Sequence, residues 1–233
     1  MKAKLILWSL VSLVLLSYGL YQGLMVAPTE ATMGDVQRIF YYHVPSAWMF
    51  MLCFLLNCVA SITYLVIRSP QADALALSSA EGGVVFCTVV LVTGPIWAKP
   101  IWGIWWTWDA RLTSTLVVWL IYVSYLILRR FAFGSQGALL SAVLAVFGAL
   151  DTVFVYMAIR WFRTQHPQPV IGGAEGSGLD PSMGHALLWN WLAFVVFGGL
   201  VMWLRYRLAR LEQEVEEVQA LEALTEGAPK VSR

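Results

Sequence analysis

A chain of 233 residues with 59% hydrophobic and 12% charged side chains and a mean hydropathy of +0.70 has lipid rather than water as its main solvent. Its net charge of +1 supplies no field that would draw it to nucleic acid. The three cysteines (Cys53, Cys58, Cys87) lie in apolar runs without C-x-x-C spacing, and C-x-x-C-H is absent, so the chain is neither a disulfide scaffold nor itself a c-type cytochrome.

A hydrocarbon layer about 30 Å thick takes about 20 apolar residues in a helix. Six stretches qualify: 5–26, 47–67, 79–97, 112–131, 137–159 and 185–206. Lys2 and Lys4 precede the first, whose apolar run is too long for a signal peptide, so it reads as an uncleaved span. Lys2, Lys4, Arg68, Arg129, Arg130, Arg205, Arg207 and Arg210 fall on one side of the layer. Arg38, Lys99, Arg111, Arg160 and Arg163 fall on the other. The richer side is cytoplasmic. The reading is an all-α, polytopic membrane protein with both termini in the cytoplasm and outer-face loops at 27–46, 98–111 and 160–184.

Residues 1–210 make one membrane domain, and 211–233 an acidic tail. In the tail, Leu211, Val215, Val218 and Leu224 draw a narrow apolar stripe on a glutamate-rich helix. It reads as a solvated continuation of the last span or as a docking surface for a cytoplasmic partner. The stretch "I-G-G-A-E-G-S-G" (171–178) lacks the strand–helix context of a phosphate loop and reads as a flexible outer loop.

Between spans three and four stands "W-G-I-W-W-T-W-D-A-R-L-T-S" (102–114). Trp97, Trp102, Trp105, Trp106 and Trp108 are five of the twelve tryptophans in the chain. An interfacial aromatic belt accounts for Trp97 and Trp119 better than for this cluster. Helical spacing would put Trp102, Trp105, Trp106 and Asp109 on one face of an interfacial helix. That face would be a broad apolar platform for a large planar ligand. Asp109 is also a favourable N-cap for the fourth span. Arg111 opposes the helix dipole, and so is a candidate partner for a ligand carboxylate. Lys99 and Arg38 are weaker candidates, since snorkelling cations are common at helix ends.

The three histidines, His43, His166 and His185, all fall on the outer side in this topology. A single interfacial histidine is usually structural. Two of them flanking an aromatic platform can ligate an iron porphyrin from opposite faces, with its propionates on Arg or Lys. Zinc fits less well, because no third and fourth ligand stand at suitable spacing.

"W-A-K-P-I-W-G-I-W-W-T-W-D-A-R-L-T-S" (97–114) resembles the signature of the tryptophan-rich, WWD-motif membrane proteins that handle haem in cytochrome c maturation. The resemblance is closest to the haem exporter protein C family. "R-I-F-Y-Y-H-V-P-S-A" (38–47) and "R-W-F-R-T-Q-H-P" (160–167) are similar to the segments around that family's two periplasmic histidines, and the likeness extends over about 5–207. It implies His43 and His166 as axial ligands. It also implies a platform of Trp102, Trp105, Trp106, Trp108 and Asp109; Trp97 stands beside it, and Arg38, Lys99 and Arg111 are the possible propionate partners by charge and position. The cargo would be haem b, carried without turnover at the periplasmic face of the inner membrane. The implied partners are the ATPase and membrane subunits of an ABC transporter, a small single-span membrane subunit and a periplasmic haem chaperone. His185 and the acidic tail match no family feature.

Two other haem functions compete. An electron-transfer subunit of the b-type cytochrome kind needs histidines deep in facing helices, and no histidine lies deep in any of the six stretches. A haem–cytochrome c synthase component would be longer, with a further intramembrane histidine pair. A transporter reading rests on Asp151 and Glu81, and no partner for Asp151 is evident.

Overall fold

The computed structural model describes residues 2–132, 134–167 and 178–226. The glycine-rich stretch, except for Gly178, and the end of the tail at 227–233 lie outside the described residues. Six helices make the fold: α1 (Lys2–Tyr21), α2 (Phe40–Ile67), α3 (Pro70–Trp102), α4 (Ala110–Phe131), α5 (Gly134–Trp161) and α6 (Pro181–Glu226). Among the described residues there is no strand, and all six segments are long and apolar enough to cross a membrane. A π-helical turn (Gln22–Val26) prolongs α1, and a 3-10 turn (Asp35–Ile39) leads into α2.

Three boundaries depart from the apolar windows. α3 starts at Pro70, with Ser69 Oγ accepting from the Ala72 N–H at 3.3 Å. Hydropathy alone misses this first part because it carries Asp73; Glu81 lies just inside the apolar window. Both are paired within the bundle: Asp73 with Arg129 at 2.6 and 2.9 Å, and Glu81 with Arg205 at 2.6 Å through both oxygens. α6 continues without a break to Glu226, and Gln213 donates to Asp73 at 3.0 Å, so the tail begins as a helix docked on the bundle. Beyond it Val215, Val218, Leu221 and Leu224 are exposed.

The third departure matters most for function. α2 starts at Phe40, not after Pro45, so the helix contains His43; α6 likewise contains His185. The expectation that His43 precedes the second span is corrected. Pro45, inside the helix, removes one backbone bond.

α2 is the central element, packed against α3, α5 and α6. Phe54 of α2 stacks on Tyr122 of α4, with ring centroids 3.6 Å apart and planes 4° from parallel. Gly83 makes this possible, since a Cβ there would come within 2.2 Å of the Phe54 ring. α1 packs chiefly on α6 and buries only Ser12 and Gly19. Trp8 donates to Val196 O at 3.0 Å, and Asn190 donates to Gly19 O at 2.9 Å. The rest of α1 is an apolar surface facing outward, as lipid contact requires.

Candidate functional site

The tryptophan segment is not one interfacial helix, as its spacing had suggested. α3 ends at Trp102, and Gly103 takes a left-handed φ of +75°, its N–H bonded to Lys99 O at 3.0 Å. Lys99 Nζ bonds Gly103 O at 2.8 Å and lies 5.9 Å from the Trp105 ring centre. From Gly103 to Asp109 the backbone is irregular, so the indoles do not share a helical face. Trp97, Trp102 and Trp106 are half-buried, whereas Trp105 and Trp108 are exposed at the rim. Trp106 meets Trp108 edge to face at 5.9 Å. The indole N–H groups of Trp97 and Trp106 are buried without an acceptor among the described residues. A buried donor left unpaired is costly unless a ligand completes it.

Asp109 is the N-cap that the sequence suggested. Its Oδ1 accepts from the backbone N–H of Arg111 and Leu112, both at 2.9 Å. Its Oδ2 accepts from Thr107 Oγ1 and from the Gln165 N–H, both at 3.0 Å. One carboxylate thus starts α4 and ties the tryptophan segment to the residue beside His166. The N-cap could be read from the sequence. The tie to Gln165, 56 residues away, could not.

One turn into α2, His43 is 7% exposed and meets Trp97 edge to face at 5.8 Å. Its Nδ1 lies 2.8 Å from Thr93 Oγ1 on α3. His166, half-buried beyond the end of α5, has Nδ1 2.8 Å from Pro167 O. A carbonyl only accepts, so His166 carries its proton on Nδ1. Among the described residues no hydrogen bond reaches Nε2 of either histidine. His185 differs, since its Nε2 already accepts from Trp189 Nε1 at 2.9 Å.

Desolvation first, and then the positive charge of Arg111, push the His166 imidazole down to about 4, against the Pro167 bond and Asp109, which raise it. At neutral pH it is therefore uncharged, the form that ligates a metal. Arg111 is close enough for its charge to act on both imidazoles. One guanidinium nitrogen donates to Val155 O at 3.2 Å. Among the described residues no carboxylate pairs with Arg111. The other two cations are committed elsewhere, Lys99 to the α3 terminus and Arg38 to the α1–α2 connection. Arg38 donates to Gly23 O and Ala27 O, both at 3.1 Å, and pairs with Asp35 at 3.2 Å.

The structure therefore brings together His43, Trp97, Arg111, Asp109 and His166, with Trp105 and Trp108 at the edge. The donor set suits haem: two imidazoles with open Nε2 atoms, apolar ring surfaces, a guanidinium and two unpaired indole N–H groups. Among the described residues no group of three or more His, Cys, Asp or Glu side chains could hold a bare metal ion.

Comparison with known proteins gives the family. The family model described as Heme exporter protein C matches residues 1–221. The chain belongs to the Heme exporter protein C family. It is 33% identical over 223 residues to the Heme exporter protein C of Bradyrhizobium diazoefficiens, covering 95% of this chain and 84% of that one. It is 32% identical over 210 residues to that of Escherichia coli K12, covering 85% and 80%. A mitochondrial protein of Marchantia polymorpha, named for cytochrome c biosynthesis, is 32% identical over 169 residues, covering 72% of each chain. In this member of the Heme exporter protein C family, sequence reasoning missed Thr93, whose hydroxyl oxygen meets His43 from α3, and Gln165, whose N–H bonds Asp109 beside His166.

Proposed function

We propose that the chain handles haem for c-type cytochrome biogenesis, holding haem b as cargo at the periplasmic face of the inner membrane. His43 and His166 supply the axial nitrogens. The ring rests against Trp97, Trp102, Trp105, Trp106 and Trp108, and Arg111 and the free indole N–H groups receive the propionates. Asp109 acts from behind, by holding the segments that carry Arg111 and His166. Arg38 and Lys99, already bonded within the protein, serve the site by shaping its borders.

The observation that carries this reading is the contrast among the histidines. His43 and His166, at one end of the bundle beside an unpaired guanidinium, leave Nε2 open, whereas His185 does not. The names of the relatives support the same cargo and pathway. In this scheme both termini are cytoplasmic, residues 1–210 form the membrane domain and 211–233 form an acidic tail. The chain makes and breaks no bonds in its cargo. It takes haem together with the ATPase and membrane subunits of an ABC transporter and a small single-span membrane subunit, and passes it to a periplasmic haem chaperone.

The test is the absorption spectrum of the protein purified in detergent, as wild type and as His43→Gly and His166→Gly, each with and without free imidazole. The expected result is a low-spin haem spectrum in the wild type, altered in each variant and restored by imidazole. A Soret band unchanged by both substitutions would overturn the axial assignment.

A further inference from the structure

Thr93 lies four residues after Val89 on α3, and its hydroxyl donates to the Val89 carbonyl at 2.6 Å. The carbonyl has no proton, so the hydroxyl proton lies between these two oxygens. The same oxygen is 2.8 Å from His43 Nδ1. With its only proton already committed, Thr93 Oγ1 can bond His43 solely as an acceptor. The proton of that contact therefore belongs to Nδ1, and the lone pair of a neutral His43 is left on Nε2.

We propose that Thr93 is a positioning residue. By accepting the Nδ1–H of His43 while anchored to Val89, it fixes the tautomer and ring orientation that present Nε2 to the iron of the cargo. It does for His43 what the Pro167 carbonyl does for His166. A ligating histidine generally donates its other ring N–H to a fixed acceptor, which sets the tautomer and raises ligand basicity. Here a helical threonine turned back on its own backbone replaces the usual carboxylate or carbonyl. The pairing rests on His43 being an axial ligand, as proposed above.

The test has two readouts. In the apo protein in detergent micelles with ¹⁵N-labelled histidine, imidazole nitrogen shifts report the tautomers of the three histidines. His43→Gln assigns the His43 signal. The expected wild-type state is the Nδ1–H form, and Thr93→Val, which keeps the shape and removes the acceptor, should shift His43 towards Nε2–H. Titration with haemin is the second readout. Thr93→Val should weaken binding by about 10- to 100-fold, the range typical for loss of an outer partner of a metal ligand. Thr93→Ser should restore both the tautomer and the affinity, which a purely steric role for the methyl group would not predict. A wild-type His43 in the Nε2–H form overturns the proposal even if no Thr93 variant folds. So does a Thr93→Val protein that binds haemin as the wild type does. His43→Gly, run in parallel, separates the two levels. If it alters the haem spectrum while Thr93→Val does not, only the positioning role fails. If neither alters it, the axial assignment fails as well.

Discussion

The two ends of the helix bundle handle their polar groups in opposite ways. At the end where α6 leaves the membrane segment, the carboxylates of Asp73 and Glu81 each hold an arginine through two hydrogen bonds, and Gln213 adds a third bond to Asp73. Among the described residues at the tryptophan end, Arg111 has no carboxylate partner, two histidines keep Nε2 open, and two buried indole N–H groups lack acceptors. A satisfied cluster stabilises a fold and offers nothing to a ligand. An unsatisfied cluster costs stability, and the protein keeps it where something else is to complete it.

The contrast can be broken most severely at the satisfied end. Arg129→Ala leaves the Asp73 carboxylate buried without its cation, a loss of about 3–5 kcal/mol for a buried pair broken from one side. The expected outcome is a large fall in the melting temperature in detergent, with the haem spectrum of the surviving folded protein unchanged. An altered spectrum would mean that the ends are not independent.

At the tryptophan end the effects should be reversed. Arg111→Gln removes the guanidinium that we propose receives the cargo carboxylates. Loss of a charge-assisted hydrogen bond, about 1.5–3 kcal/mol, corresponds to about 10- to 150-fold weaker haem binding, read by haemin titration. A variant with wild-type affinity would remove Arg111 from the site.

Asp109→Ala removes the α4 cap and the tie to Gln165 together, whereas Asp109→Asn keeps the cap. Losing the cap should cost about 1 kcal/mol of stability. Alanine should lower both the melting temperature and the haem affinity, and asparagine should spare most of the stability. Smallest of all, Trp108→Ala at a 77% exposed position should change stability by less than about 0.5 kcal/mol. Any sizeable change would come from its contact with the cargo, read as lower haem affinity.

Much of the fold was legible, because length and hydropathy alone mark six spans, and Asp109 stands where a cap belongs. The errors have a common source. Windows of hydropathy discard charged residues, so they missed the first turns of α3, where Asp73 finds an arginine from α4. They also stopped short of His43, treating Pro45 as a boundary. The site was legible as a set of residue types but not as an arrangement. Periodicity suggested a helix through Trp105 and Trp106, and a single glycine at positive φ broke it. Nothing local announces that Thr93 meets His43 or that Asp109 reaches Gln165. Both are long-range pairings fixed by helix packing. Asp151 stays as the sequence left it, its Oδ2 buried without a partner among the described residues.

The most direct test of a two-histidine haem site at the tryptophan end counts the axial nitrogens. Pulsed electron paramagnetic resonance of the ferric, haem-loaded protein with ¹⁵N-histidine should show coupling to two axial imidazoles in the wild type. It should show one in His43→Gly and in His166→Gly, and still two in His185→Gly. Two labelled axial nitrogens surviving in either of the first two variants would contradict the account.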